Sequence, residues 1–480
     1  MAINSFAFLI FFAAVFVLYY LPIKKKTKEY QNILLLLASY FFYGYADCRM
    51  LPLVILVTVV FYFLGRGIEK YEDTKNADRF LVLGVVLGVG MLVYFKYTNF
   101  FIQSFDSLLN SVGLHTNWHS LKIIVPLGIS FFVFRLVSYA IEVHRGMMPA
   151  SRDFVSFAAY VAFFPCMLSG PIDRPNVFIP QLEKGRNFQY ETAIDGMRQI
   201  LWGIFKKMVV ADNLARFVDM YIVGGEMTAT GSTTIVVAIA YTFQIYADFS
   251  GYSDMAIGVG KLLNLRIAKN FNYPFFALNI ADFWRRWHIS LTSWVTDYVF
   301  TPLCFNFRNM RQWGVILAII INFLIVGLWH GANWNFVVYG LYHGLLFIPL
   351  ILSGAMYASA DVSTNRLGLP KIKDFARILF TFSLVAIGML IFRCTTMNQF
   401  VGEIATLKHG LFAIPKCGEI VYWIFVLLML FVEWCNRNRD HGLEISSIKS
   451  KTLRWAVYLA IVGTIFLYGG QSAGFIYQVF

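Results

Sequence analysis

The chain of 480 residues is 58% hydrophobic and 14% charged, with a mean hydropathy of +0.63. A soluble domain would carry roughly 25% charged residues, so the composition excludes an ordinary soluble enzyme and indicates an all-α polytopic membrane protein. The net charge of +13 does not predict nucleic-acid binding. Lys and Arg gather in short loops between apolar runs, where the positive-inside rule expects them.

Apolar runs close to the roughly 20 residues that cross a bilayer as a helix predict about 11–13 membrane helices. We expect a single integral-membrane domain over residues 1–480, because no internal repeat or long linker divides the sequence. The candidate helices cover residues 5–21, 31–46, 51–65, 80–97, 121–141, 153–169, 196–222, 233–259, 314–330, 334–352, 374–394, 418–435 and 455–471.

The distribution of basic residues predicts the topology. Residues 1–5 carry no basic side chain, and Lys24, Lys25, Lys26 and Lys28 follow the first apolar run without a signal-peptide cleavage site. The N-terminus is therefore expected outside and these lysines in the cytoplasm. The basic loops 66–79, 142–152, 353–373 and 436–454 are assigned to the cytoplasm, and the polar segment 97–120 to an external loop.

The central block 271–305 mixes aromatic residues with Asp282, Arg285, Arg286, His288 and Asp297. It is too polar for a lipid-facing span, which favours amphipathic or re-entrant helices. The two arginines either anchor this segment at lipid phosphates or hold the phosphates of a substrate. Membrane lipids are in any case expected partners of the apolar spans.

His330 follows the apolar run 315–326 and precedes Gly331, Ala332 and Asn333, which permit a turn. A helix that starts near Gly314 and ends at His330 rises about 24 Å, short of the ~30 Å hydrocarbon core. His330 is thus expected inside the membrane zone, and the turn predicts a cavity there. An ionisable group at that depth indicates function, and imidazole suits proton transfer near neutral pH.

Other polar groups leave two interpretations open. His288 is either a second site histidine or an interfacial residue, and His343 either joins the site or packs within its apolar helix. Asp248 and Tyr252 share one helical face, as do Ser250 and Asp254. These side chains either position a substrate or hydrogen-bond neighbouring helices.

Several common site patterns do not occur. The six cysteines form no C-x-x-C pair, so neither a metal site nor a disulfide framework is predicted. The sequence has no G-x-S-x-G, H-E-x-x-H or Walker motif either. We expect no metal and no bound cofactor.

Two segments carry a resemblance to a known family: Trp284-Arg285-Arg286-Trp287-His288-Ile289-Ser290-Leu291 and Leu328-Trp329-His330-Gly331-Ala332-Asn333-Trp334-Asn335-Phe336. Further matching segments are Pro126-Leu127-Gly128-Ile129-Ser130-Phe131-Phe132, Phe163-Phe164-Pro165, Ser169-Gly170-Pro171-Ile172, Leu201-Trp202-Gly203-Ile204-Phe205-Lys206-Lys207, Ala211-Asp212-Asn213-Leu214 and residues 246–254. With these segments the chain resembles the membrane-bound O-acyltransferases, most nearly the alginate O-acetyltransferase membrane subunits, over residues 5–400. After Leu303, where alginate-type proteins carry a Gly-Gly-Asn-Arg-like turn, it departs from them.

The resemblance implies a helical bundle around a through-membrane tunnel in the bacterial cytoplasmic (inner) membrane. It implies transfer of an acetyl group from a cytoplasmic thioester, acetyl-CoA as co-substrate, to an extracytoplasmic polysaccharide, through a secreted or anchored partner with a Ser-His-Asp-type site. His330 and His288 are the expected catalytic residues. The expected substrate-binding residues are Arg285, Arg286, Trp287, Trp329, Asn333, Asp248, Ser250, Tyr252 and His343.

Two alternatives remain at this stage. D-alanyl transfer to teichoic acid would draw on a carrier protein that docks on the cytoplasmic face. A glycan or lipid transporter would also place polar residues in its spans. Transporters often carry inverted repeats and paired broken helices, and the sequence shows neither.

Overall fold

The computed structural model describes residues 1–21, 27–114, 118–222, 230–358, 361–470 and 474. The described residues form helices joined by turns and loops, and they contain no β-strand. The predicted all-α class is therefore confirmed. Five helical segments are long and apolar enough to cross a membrane, which makes the chain a multi-pass membrane protein. These segments are Thr27–Lys70, Lys75–Ser111, Gln312–His330, Trp334–Leu352 and Ile372–Arg393. The lysines at 24–26, on which the predicted topology depends, lie outside the described residues.

The chain divides into two compact units, and the first comprises Met1–Met197 and Ala256–Ala268. Buried polar side chains join its helices. Asn32 donates from Nδ2 to Ser156 Oγ and to the Leu182 carbonyl, both at 2.8 Å, and accepts from Arg186 Nη2 at 2.6 Å. Its helices are α1 (Phe6–Tyr19), α2 (Thr27–Asp47), α3 (Leu51–Lys70), α4 (Lys75–Leu92), α5 (Thr98–Ser111), α6 (Ile129–His144), α7 (Phe154–Ala162), α8 (Phe164–Met167), α9 (Pro175–Leu182) and the start of α10 (Tyr190–Ile204).

Two predictions in this unit are wrong. The segment 97–120 is not simply a loop, because the π-helical turn Val93–Tyr97 joins α4 to α5. Polar residues are accommodated in α5 by local bonds, such as Ser107 Oγ to the Gln103 carbonyl at 2.8 Å. The helix expected from residue 121 begins only at Ile129, because Pro126 lacks an N–H and Gly128 adopts a φ of +69°.

The second unit comprises Arg198–Met255 and Lys269–Phe480 and holds every predicted site residue. The central block forms short helices, as predicted. The helices that follow α10 are α11 (Asp212–Ile222), α12 (Gly231–Leu262), α13 (Ile280–Arg286), α14 (Ile289–Val295), α15 (Thr301–Asn306), α16 (Gln312–His330), α17 (Trp334–Leu346), α18 (Ile348–Leu352), α19 (Ile372–Arg393), α20 (Met397–Thr406), α21 (Ile420–Cys435) and α22 (Lys451–Tyr468), and the π-helices are Phe205–Ala211 and Thr296–Phe300.

Helices α16 and α17 form a tight hairpin that carries His330 at its bend. Two glycines allow the backbones to touch. A Cβ at Gly327 would lie 2.1 Å from the Phe336 carbonyl oxygen, and one at Gly340 would lie 2.3 Å from that of Phe323. Small residues are what permit such close helix packing within a membrane. The position of His330 is therefore determined by backbone contacts on both arms of the hairpin.

Candidate active site

His330 is the last residue of α16, as the sequence predicted. Gly331 is extended, at φ −172° and ψ 157°, and α17 begins at Trp334. Asn333 caps α17: its side chain accepts from the Asn335 N–H at 3.2 Å and donates to the Thr395 carbonyl at 2.7 Å. Asn333 therefore holds the turn that follows His330. The cavity expected beside this turn stays a prediction.

His288 lies in the turn between α13 and α14, and its backbone is left-handed, at φ 44° and ψ 51°. A bulky residue in this region costs of order 1–3 kcal/mol, so the surroundings must enforce it. They do so through backbone hydrogen bonds on either side. Ile289 N–H donates to the Asn270 carbonyl at 2.8 Å, and Asn272 N–H donates to the Arg286 carbonyl at 3.0 Å.

The side chain of Asn270 adds a second connection to this turn. It is fully buried, donates to Ser253 Oγ on α12 at 3.1 Å, and accepts from Ser290 Oγ on α14 at 2.5 Å. Asn270 thus holds the turn of His288 against α12. Sequence analysis missed it, because an asparagine in a loop carries no sign of which helices it will join.

The two histidines face one another inside the second unit. Their ring centroids lie 6.5 Å apart, and their side chains are 0% (His288) and 3% (His330) exposed. Each ring nitrogen lies less than a bond length from its centroid, so this separation exceeds the reach of a direct hydrogen bond. A reacting group placed between the rings would be within reach of both.

Aromatic side chains enclose the pair. Trp329 lies 5.5 Å from His288 and 5.0 Å from His330, measured between ring centroids. Phe249 of α12 covers His288 at 4.7 Å, and Phe392 of α19 covers His330 at 5.0 Å. These walls keep bulk water away from both imidazoles. Trp329, predicted to bind substrate, therefore lies beside both catalytic candidates.

Burial also sets the charge state of His288, which lies outside the spanning helices. Removal from water disfavours the imidazolium and lowers the pKa of His288 from its ordinary value near 6.5 to about 3. His288 is therefore a neutral imidazole at physiological pH. In that form one ring nitrogen donates a hydrogen bond and the other accepts one.

His343 lies one aromatic ring away from the pair. Trp284 Nε1 donates to His343 Nδ1 at 3.3 Å, and Tyr339 separates His343 from His330, with ring centroids 4.7 Å and 6.0 Å away respectively. The contact with Trp284 ties α17 to α13. The geometry favours the packing interpretation for His343.

The polar face of α12 meets two buried lysines on the π-helix Phe205–Ala211. Lys207 Nζ lies 2.6 Å from Asp248 Oδ1. Lys206 Nζ donates to Ser250 Oγ at 2.9 Å and lies 2.6 Å from Asp254 Oδ2. Of the two interpretations for these residues, the geometry favours bonding between neighbouring helices. Tyr252 is also buried on this helix.

Three consecutive residues of the central block have different surroundings: Arg285, Arg286 and Trp287. Arg285 is exposed and donates to the carbonyls of Met356 and Ala358 at 3.1 and 3.3 Å. Arg286 Nε pairs with Asp282 Oδ1 at 2.8 Å within α13. Trp287 is buried among aromatic rings, which include Phe271, Phe283 and Tyr246. Only Trp287 packs in the interior beside His288.

Comparison with known proteins identifies the family. The model of the membrane-bound O-acyltransferase family, MBOAT, matches residues 6–392. The chain belongs to this family. The protein is thus an O-acyltransferase of the membrane, and the motifs around His288 and His330 both lie within the matched residues.

Three relatives show the range of chemistry that this acyltransferase resembles. It is 39% identical to the probable alginate O-acetylase AlgI of Azotobacter vinelandii, over 83% of this chain and 76% of the relative. It is 29% identical to the peptidoglycan O-acetyltransferase of Helicobacter pylori, over 94% and 92%. It is also 29% identical to the teichoic acid D-alanyltransferase of Bacillus subtilis, over 58% and 69%.

The candidate site includes residues that sequence analysis did not single out as site residues. Phe249 and Phe392 form the walls, and Lys206 and Lys207 neutralise the acidic face of α12. The two lysines had a weak signal, because adjacent cations between apolar residues need buried partners. Phe249 and Phe392 had none, since phenylalanine is abundant throughout this sequence.

Proposed function

We propose that this acyltransferase transfers an acetyl group from cytoplasmic acetyl-CoA to a polysaccharide outside the bacterial inner membrane, with its own N-terminus also outside. The observation that carries the proposal is the buried pairing of His288 with His330. The names of two relatives, which specify acetylation of alginate and of peptidoglycan, support the acetyl group and the polysaccharide class.

In the proposed reaction, His330 is the general base. Its neutral imidazole takes the proton of the acceptor hydroxyl as that oxygen attacks the thioester carbonyl. The carbon–sulfur bond breaks, and the CoA thiolate leaves and takes up a proton. His288 orients the thioester or donates a hydrogen bond to the developing oxyanion. The aromatic walls favour transfer over hydrolysis, because they exclude water.

The acceptor hydroxyl belongs either to the polysaccharide or to a serine of a secreted or anchored partner with a Ser-His-Asp-type site. Both routes use the same step at His330. An acetyl-histidine intermediate would divide that step into two transfers without changing its overall balance.

The deciding experiment compares membranes that contain wild-type protein, His330→Ala or His409→Ala at equal abundance. Acetyl-CoA labelled in its acetyl group is supplied, and label in envelope polymer is measured. We expect His330→Ala to lower transfer by about 10²–10⁴-fold, the usual contribution of a general base. His409, exposed after α20, is the matched control and should have no effect. Full activity of His330→Ala would contradict the assignment.

Donor binding gives a separate test for the arginines. We propose that Arg285, on the exposed side of α13, contacts the phosphates of CoA. Arg285→Ala should then raise the acetyl-CoA concentration needed for half-maximal transfer, with a smaller effect on the maximal rate. Arg286→Ala should instead reduce stability, because it leaves the buried Asp282 without its charged partner. If Arg285→Ala leaves the acetyl-CoA concentration for half-maximal transfer unchanged, Arg285 does not bind the phosphates of CoA.

A second candidate, D-alanyl transfer from a carrier protein, is favoured by the similarity to the teichoic acid D-alanyltransferase. The same membranes distinguish the two. If free acetyl-CoA yields no labelled polymer but a D-alanyl-charged carrier protein yields D-alanylated polymer, the second candidate is correct.

A further inference from the structure

An apolar groove opens on the surface of the second unit, between α12, α19, α21 and the turn Pro274–Phe276. Its volume is about 380 Å³, within the range of ligand-binding pockets. Every lining side chain is apolar. Those used below are Phe275, Leu379, Phe382, Leu430 and Trp434.

The groove opens outward beside a candidate membrane span. Helix α19, which supplies one wall, is among the five segments able to span a membrane. Rim side chains point outward: Phe431 is 66% and Leu379 49% exposed. A water-soluble ligand would find no polar partner here, so the occupant must be apolar and present in the membrane. Since lipid tails are as apolar as the groove, selectivity must arise from another part of the ligand.

Positive charge collects at one end of the groove. That end is formed by Pro370 and Trp434; the exposed Lys371 directly follows Pro370, and the exposed Lys373 lies two residues further along. Arg437 stacks on the Trp434 ring at 4.4 Å. Helix α19 begins at Ile372, so the positive end of its dipole also lies at the basic end of the groove.

We propose that the groove binds one acyl chain of an anionic phospholipid, whose phosphate lies at the basic end. The acyl chain fills the apolar part toward Phe382 and Leu430. Lys371, Lys373 and Arg437 supply the charge that distinguishes this lipid from a zwitterionic one.

A bound lipid would also support the catalytic turn. Phe275, in the groove wall, lies 5.3 Å from Phe382 and 6.3 Å from Trp287, measured between ring centroids. Trp287 immediately precedes His288. A lipid in the groove would therefore restrict the motion of Phe382, Phe275 and Trp287, the last of which lies next to His288. This proposal does not depend on the identity of the acyl donor.

The test measures lipid retention by native mass spectrometry. Purified protein is exchanged into phosphatidylglycerol or into phosphatidylcholine with the same acyl chains. Wild type should retain one phosphatidylglycerol at least tenfold more often than phosphatidylcholine. Lys371→Ala, Lys373→Ala and Arg437→Ala should each weaken retention about fivefold, while Lys449→Ala, an exposed lysine in the basic loop 436–454, should not.

A second pair of variants tests the groove itself. Leu430→Trp fills it and should abolish retention. Leu427→Trp places the same bulk on an exposed position of α21 that does not line the groove, and should retain lipid as wild type does. Equal retention of both lipids by wild type would overturn the proposal, as would equal loss from both tryptophan variants. The surface charge variants keep the test valid if Leu430→Trp misfolds.

Discussion

At the scale of single residues, the left-handed backbone of His288 orients its imidazole. Residues with φ near +44° are rarely bulky, and the hydrogen bonds of residues 270–272 hold this one in place. Its ring then meets Trp329 and the imidazole of His330. A right-handed backbone would direct the side chain elsewhere, so the strained backbone and the position of the imidazole are linked at this residue.

Substitution at this residue can separate its backbone role from its chemical role. His288→Asn and His288→Val both remove the imidazole and should both lose acyl transfer. Asparagine tolerates the left-handed region, whereas β-branched valine is strained there by about 1–3 kcal/mol. We therefore expect His288→Val to unfold at a lower temperature than His288→Asn in the same detergent. Equal unfolding temperatures would show that the backbone of His288 relaxes freely.

The sequence was sufficient to predict that a helix ends at His330, but it did not predict the surroundings of His288. An imidazole at the end of an apolar run, followed by Gly331, predicts a helix end within the membrane from local rules alone. The conformation of His288 depends on Asn270, whose partners Ser253 and Ser290 lie in two different helices. Such contacts arise from tertiary packing, which a local pattern does not specify.

At the scale of helices, the hairpin of α16 and α17 determines how closely His330 approaches its walls. Backbone contacts at Gly327 and Gly340 leave no space for a side chain. Packing of this kind is stiff, because the backbone cannot change rotamer to relieve a clash. Small changes in the hairpin should therefore reach the imidazole directly.

Gly340→Ala tests this coupling. The added methyl would meet the Phe323 carbonyl, and overpacking of this kind costs about 1–3 kcal/mol. We expect a lower unfolding temperature together with up to about 10²-fold lower transfer, since a displacement of about 1 Å can cost that much.

The matched control is Gly463→Ala. Gly463 lies within α22 with nothing inside 4 Å of the added methyl, so alanine there should be neutral or slightly stabilising. If both variants behave alike, the hairpin contact does not control the site.

The predicted helices also show where sequence patterns are sufficient to locate the ends of a helix. Gln312–His330 and Ile372–Arg393 match their predicted bounds within two residues, because uninterrupted apolar runs leave little choice. The prediction failed at Thr98–Ser111, where polar side chains bond to their own backbone within a helix. Because hydropathy does not take such local bonds into account, the polar side chains led to the prediction of an exposed loop.

At the scale of the whole molecule, two exposed positions test the predicted membrane topology. With the N-terminus outside, Cys48, in the turn between α2 and α3, should face the outside. Ser446, in the basic loop 436–454, should face the cytoplasm. In single-cysteine variants, a membrane-impermeant maleimide should label Cys48 in intact cells and S446C only after lysis.

Those variants must retain acetyl transfer, so that the labelled protein is the folded one. The reverse labelling pattern would place the N-terminus in the cytoplasm. It would also invert the sides from which donor and acceptor approach His330.

The wall that Phe392 forms over His330 has a consequence for biosynthesis. At about 5–20 residues per second, the stretch from His330 to Phe392 takes roughly 3–12 s to synthesise. During that interval a nascent chain already contains both histidines, but α19 has yet to cover the second of them. A ribosome that stops before α19 emerges would therefore leave His330 without this wall, so the enclosed histidine pair is complete only late in translation.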